Sequence, residues 1–81
     1  MTIQNFAFKP LATTVKAGST ITVKNQDSAT HTLTADNGAF DTGNISGGGT
    51  KTITAPAKPG SFSYHCSIHA FMTHGTITVT S

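Results

Sequence analysis

The sequence predicts an all-β fold: a Greek-key β-sandwich of seven or eight strands forming a single domain over residues 1–81. Three observations lead there. Sixteen threonines, seven serines and eight glycines fill a chain that has no glutamate, arginine or tryptophan, so strand and turn formers displace helix formers. Apolar and polar residues alternate with period two, the pattern of a strand with one face in a core. Turn residues interrupt that alternation at spacings of roughly 8–12 residues, as short sandwich strands require.

The first strand is expected over Ile3 to Phe8, ended by Pro10, which has no N–H for a central ladder. Thr13 to Lys16 forms a short second strand before the Ala17-Gly18 turn. Thr20 to Lys24 alternates cleanly, with Ile21 and Val23 inward. Asn25-Gln26-Asp27-Ser28 has the chemistry of a loop, after which His31-Thr32-Leu33-Thr34 resumes the alternation with His31 on the face of Leu33. A polar stretch runs from Asp36 to Gly49, broken by Phe40 and Ile45. Thr50 to Ala55 is another strand, and Pro56 to Gly60 a turn. Ser61 to Cys66 puts Phe62, Tyr64 and Cys66 on one face, and Gly75 to Thr80 closes the fold with Ile77 and Val79 inward.

A chain of 81 residues buries only roughly 60–65% of its unfolded surface, so its core alone gives marginal stability. Cys66 is the one cysteine, which excludes an internal disulfide and leaves a metal as the available staple. Five lysines against three aspartates give a net charge of +2. The lysines (Lys9, Lys16, Lys24, Lys51, Lys58) are scattered singly, which argues against nucleic-acid binding. No apolar run approaches the roughly 18–20 residues that span a bilayer, so no direct membrane insertion is expected. Asp27, Asp36 and Asp41 sit on separate loops, without an acid–base pair. The triplet Gly47-Gly48-Gly49 lacks the lysine-serine ending and helix of a phosphate-binding loop. Nothing here builds a catalytic centre, and no enzyme is expected.

The informative segment is Tyr64-His65-Cys66-Ser67-Ile68-His69-Ala70-Phe71-Met72. Its C-x-x-H-x-x-M spacing offers a thiolate, an imidazole and a thioether between two strands. His31 supplies a second imidazole, because a sandwich gathers strand ends at one pole. Two imidazoles and a thiolate with a long methionine contact is the donor set of a blue-copper electron-transfer site. Structural zinc sites use several cysteines in C-x-x-C pairs, which this chain lacks.

The pattern resembles the small type 1 blue copper proteins, the cupredoxins, and within them the amicyanin and plastocyanin group. The loop from Cys66 through His69 to Met72 carries the likeness, with Asn25 to Leu33, Phe40-Asp41-Thr42-Gly43 and Gly60 to Tyr64. The resemblance implies His31, Cys66 and His69 as strong ligands of one Cu(I)/Cu(II) ion and Met72 as the axial ligand. It implies Thr32 and Ser67 near the sulfur, and redox partner proteins docking around His69 and Phe71, with Ala70 alongside. It also implies a periplasmic or extracellular site of action, with an export signal or anchor outside these residues, since Met1 leads directly into Thr2-Ile3-Gln4. The chain departs from the family in its short length and in Ala70, where many relatives carry proline. His65 and His74 have no place in the simple ligand pattern. Three other functions share these residues or this fold: copper storage or delivery, an electron-transfer domain of a larger multicopper oxidase or nitrite reductase, and a metal-free adhesion sandwich.

Overall fold

The structure, a computed structural model, describes all 81 residues. It contains eight strands and no helix: β1 (Thr2–Gln4), β2 (Ala7–Lys9), β3 (Ala12–Lys16), β4 (Thr20–Asn25), β5 (Thr34–Ala35), β6 (Thr50–Thr54), β7 (Gly60–His65) and β8 (Gly75–Thr80). Two four-stranded sheets form, in the orders β2-β1-β4-β6 and β3-β8-β7-β5. Both are mixed, because β1 runs parallel to β4 and β3 parallel to β8. The alternating residues meet between the sheets: Ile3, Phe8, Ile21, Val23 and Ile53 from one, Ala35, Tyr64, Ile77 and Val79 from the other. The all-β sandwich expected from composition and alternation is therefore the fold observed.

Two expected strands differ. The segment Ile3 to Phe8 is a hairpin, with Gln4 opposite Ala7 and a two-residue turn at Asn5-Phe6. Both turn residues have positive φ, 54° and 56°. That is the geometry of the tight hairpin turn whose twist matches its strands, but it favours asparagine and glycine. Asn5 suits that turn, but a phenylalanine in the left-handed region costs about 1–2 kcal/mol and stands where glycine is expected, so the residues did not mark the turn. The second difference is His31 to Thr34, which pairs as a strand only at its end, in β5. His31, Thr32 and Leu33 are all buried, so the segment is covered on both faces and alternation does not describe it. Its start is fixed instead by an isolated bridge, His31 N–H to Ile45 O at 3.1 Å and Ile45 N–H to His31 O at 2.7 Å.

The loop that delivers His31 is organised by Asn25, a fully buried polar residue. Its amide donates to Ala29 O at 2.8 Å and Ile45 O at 2.9 Å, and its Oδ1 accepts the Asp27 N–H at 3.0 Å. Such a satisfied buried amide specifies one loop path, since any other would leave it unpaired. The glycine triplet lies against this loop. A Cβ at Gly47 would stand 2.4 Å from Ser28 O, so only glycine admits the approach.

Candidate metal centre

Three side chains from two distant segments converge at one end of the sandwich. Cys66 follows directly on β7, His69 lies on the loop between β7 and β8, and His31 lies on the loop after β4. The loop turns back on itself where Met72 N–H donates to His69 O at 3.1 Å, and the Met72 side chain is buried. One ligand atom from each of His31, Cys66 and His69 lies within 4.8 Å of the others. Each imidazole turns its Nδ1 toward Cys66 Sγ, at 3.8 Å in both cases. Donors about 2.0 and 2.3 Å from a shared metal at a trigonal angle would stand about 3.7 Å apart, so the group fits a thiolate-bound first-row ion.

The surroundings prepare these donors. His31 is fully buried and its Nε2 meets Asp27 Oδ2 at 2.8 Å. With the carboxylate accepting from Nε2–H, the ring's free lone pair is on Nδ1, the atom that faces the sulfur. Desolvation pushes the Asp27 carboxyl up, but donors from Phe6 N–H, the His31 ring and Asn5 N–H outweigh it and hold the group below its ordinary range. Burial likewise pushes the Cys66 thiol up. The Thr32 N–H and the N–H groups of His69 and Ile68 oppose that, and the thiol is brought down to about 6. A thiol so placed is a thiolate near neutral pH, which is the form that binds metal.

A chain of hydroxyls ties the two segments together. Thr32 N–H donates to Cys66 Sγ at 3.4 Å, while Thr32 Oγ1 accepts Ser67 N–H at 2.8 Å and lies 3.0 Å from Ser67 Oγ. Thr34 Oγ1 continues the chain, 3.0 Å from Thr32 Oγ1 and donating to Asp41 Oδ1 at 2.9 Å. Thr32 and Ser67 thus lie beside the sulfur, as the resemblance implied.

His69 is half-buried and lies under an aromatic rim. Phe6 and Phe71 pack edge-on against its ring, with centroids at 5.1 and 5.8 Å. Phe71 is 75% exposed, Ile68 45% and Phe6 39%, so an apolar surface surrounds the accessible imidazole. His65 and His74 stand apart from the cluster, with both Nδ1 atoms facing Asp36, at 2.5 and 3.6 Å.

Sequence reasoning found the converging residues but missed the roles of Asp27, Phe6 and Asp41. A carboxylate four residues before the buried histidine was the one available signal for Asp27. Phe6 gave none, and Asp41 only its place in the Phe40-Asp41-Thr42-Gly43 segment, because their contacts come from packing of distant segments.

A family model described as cupredoxin-like domain matches residues 1–79. The chain is similar in structure to a mutant of amicyanin solved in its reduced Cu(I) form at pH 4. The identity is 23% and the TM-score 0.85, covering 98% of this chain and 78% of that one. The Cu(I) form of a second amicyanin mutant is 24% identical, with a TM-score of 0.84 and the same coverage, 98% and 78%. A copper-containing nitrite reductase from Thermus scotoductus SA-01 is 26% identical, with a TM-score of 0.85 over 99% of this chain but 21% of that chain. No curated protein matches the sequence at a significant level.

Proposed function

The chain belongs to the cupredoxin-like domain family, and from that premise we propose that it is an electron-transfer protein whose His31, Cys66, His69 and Met72 hold one copper ion. The observation that carries the reading is the pair of imidazole Nδ1 atoms at 3.8 Å from the buried Cys66 sulfur. Bound copper supplies one-electron chemistry between Cu(II) and Cu(I). The protein's part is to hold thiolate and thioether, which suit Cu(I), with imidazoles, which also suit Cu(II). Asp27 and the Thr32–Ser67 hydrogen bonds support this role by fixing the donors before any ion arrives, so that little has to move when the charge changes.

Electrons enter and leave through His69, the accessible ligand, with Phe71 and its neighbours forming the surface on which redox partner proteins dock. An exposed apolar rim of this kind favours brief, weakly specific encounters. Residues 1–81 act as one domain in this reading. No helix is long and apolar enough to cross a membrane. The periplasm or the cell exterior is the proposed site of action, because a copper-bound thiolate is safer outside the reducing cytosol.

The likeness to one part of a longer nitrite reductase favours a second reading, an electron-transfer module of a larger copper enzyme. A second copper per chain, or nitrite turnover by the purified chain, would select it. The primary test is titration of the apoprotein with Cu(II), followed by visible absorption and electron paramagnetic resonance. An intense charge-transfer band saturating at one copper per chain, with narrow hyperfine splitting, is expected. Cys66→Ser should fold but remain colourless, and a blue Cys66→Ser protein would overturn the assignment.

A further inference from the structure

The β1–β2 turn is an unusual place for a large aromatic residue. Asn5 and Phe6 both adopt positive φ, and the second position of such a turn is where glycine is normally found. A strained side chain persists only where its surroundings over-determine it, and such residues cluster at functional sites. Here the over-determination is visible. Asp27 Oδ1 accepts Asn5 N–H at 2.7 Å and Asp27 Oδ2 accepts Phe6 N–H at 2.8 Å. The same Oδ2 meets His31 Nε2 at 2.8 Å. One carboxylate therefore clamps the turn to the buried histidine.

The strained residue points its ring at the site. Phe6 lies 4.9 Å from the His31 ring and 5.1 Å from the His69 ring, nearly perpendicular to both at 88° and 89°. The two imidazoles are themselves 4.9 Å apart, so three rings form a nearly equilateral triangle. His31 has a carboxylate to fix its plane. His69 has none, and its ring is bounded instead by Phe6, Phe71 and His31.

We infer that Phe6 is a positioning residue for the metal centre, whose ring, held by the Asp27-clamped turn, fixes the plane of His69 against His31. The inference rests on the copper reading for its functional consequence, but the ring packing can be tested without copper. Phe6→Gly removes the ring and suits the turn, so the apoprotein should be no less stable to denaturant than the wild type. Its His31–His69 ring-to-ring nuclear Overhauser contacts should weaken as His69 becomes free to rotate. In the copper-loaded protein a competing chelator should remove metal about tenfold faster, as expected for the loss of two edge-on aromatic contacts. The resonance spectrum should also broaden into more than one species.

Phe6→Leu is the second variant. It keeps apolar bulk and the strained turn but loses the flat ring, and should fall on the side of Phe6→Gly. Ring contacts and copper loss at wild-type values in both variants would overturn the inference. Loss of stability in Phe6→Gly apoprotein with unchanged ring contacts would do so as well, by making Phe6 ordinary packing. A wild-type protein that shows no blue band would sink the copper reading alone, since the apoprotein ring contacts still decide the role of Phe6.

Discussion

Replacing Asp27 by asparagine tests how the site is built, because it keeps the shape and removes the charge. The carboxylate accepts three hydrogen bonds, from Asn5 N–H at 2.7 Å, Phe6 N–H at 2.8 Å and His31 Nε2–H at 2.8 Å. An amide has one oxygen to accept with. In its better orientation it keeps the Phe6 and His31 bonds and turns its NH2 group against the Asn5 N–H. The two retained bonds fall from charged to neutral strength, a loss of about 1 kcal/mol each. The Asn5 N–H is exposed and regains water, which limits that loss to about 1 kcal/mol. Asp27→Asn should therefore cost about 2–4 kcal/mol, against a total stability of roughly 4–12 kcal/mol for a chain of this length. Denaturant unfolding of the apoprotein at about pH 7 measures it.

The same experiment has a pH signature. The folded Asp27 carboxyl titrates below its ordinary value of 3.8, so its contribution is present above that value and is lost as pH falls through the folded pKa. The gap between wild type and Asp27→Asn should be full near neutrality and shrink below about pH 4. Copper affinity should also fall, by roughly 10–100-fold, as is usual when a carboxylate orienting a histidine ligand is lost. A neutral-pH gap under about 0.5 kcal/mol, or a gap that persists unchanged in strong acid, would refute the reasoning.

Two further outcomes follow from the packing and the thiol. Gly75→Ala would place a Cβ 2.3 Å from the ring of fully buried Tyr64 and 2.8 Å from Leu11 O, and should cost about 1–3 kcal/mol or more in denaturant unfolding. A variant as stable as wild type would show that β7 and β8 can separate to admit a methyl group. The Cys66 thiol titrates near 6 in the folded chain against 9.0 for a free thiol, so the apoprotein should gain stability relative to Cys66→Ala as pH rises through that window. The slope is at most about 1.4 kcal/mol per pH unit, and ultraviolet thiolate absorbance should rise with a midpoint near the lower value. A flat difference across the window would mean that the hydrogen bonds at the sulfur do not outweigh burial.

The proposed metal centre was the most legible part of the chain. Cys66, His69 and Met72 fall within seven residues, so their chemistry and spacing are written in one local segment, and only His31 had to be brought from elsewhere. Strands with one wet and one dry face were equally legible, and β3, β4, β6, β7 and β8 lie within about one residue of where alternation puts them. Alternation failed where a segment had no wet face. His31, Thr32 and Leu33 are all buried and held by Ile45, Cys66 and Thr42 from other segments, and no local pattern encodes a cover supplied from a distance.

What the sequence alone determined, then, is what local chemistry determines: an all-β chain and a loop rich in soft donors. The tertiary structure decided the rest. Asp27 is an ordinary loop residue until folding sets it between the β1–β2 turn and His31, where one carboxylate meets three donors. Phe6 contradicts the preference of its own turn, and it is held there by Asp27 and packed on two imidazoles that only folding brings beneath its ring. The thiol of Cys66 is lowered by N–H groups that reach it from Thr32, Ile68 and His69. Local preference is a matter of about 1 kcal/mol per residue, and contacts between distant segments can match or exceed it wherever several converge on one group.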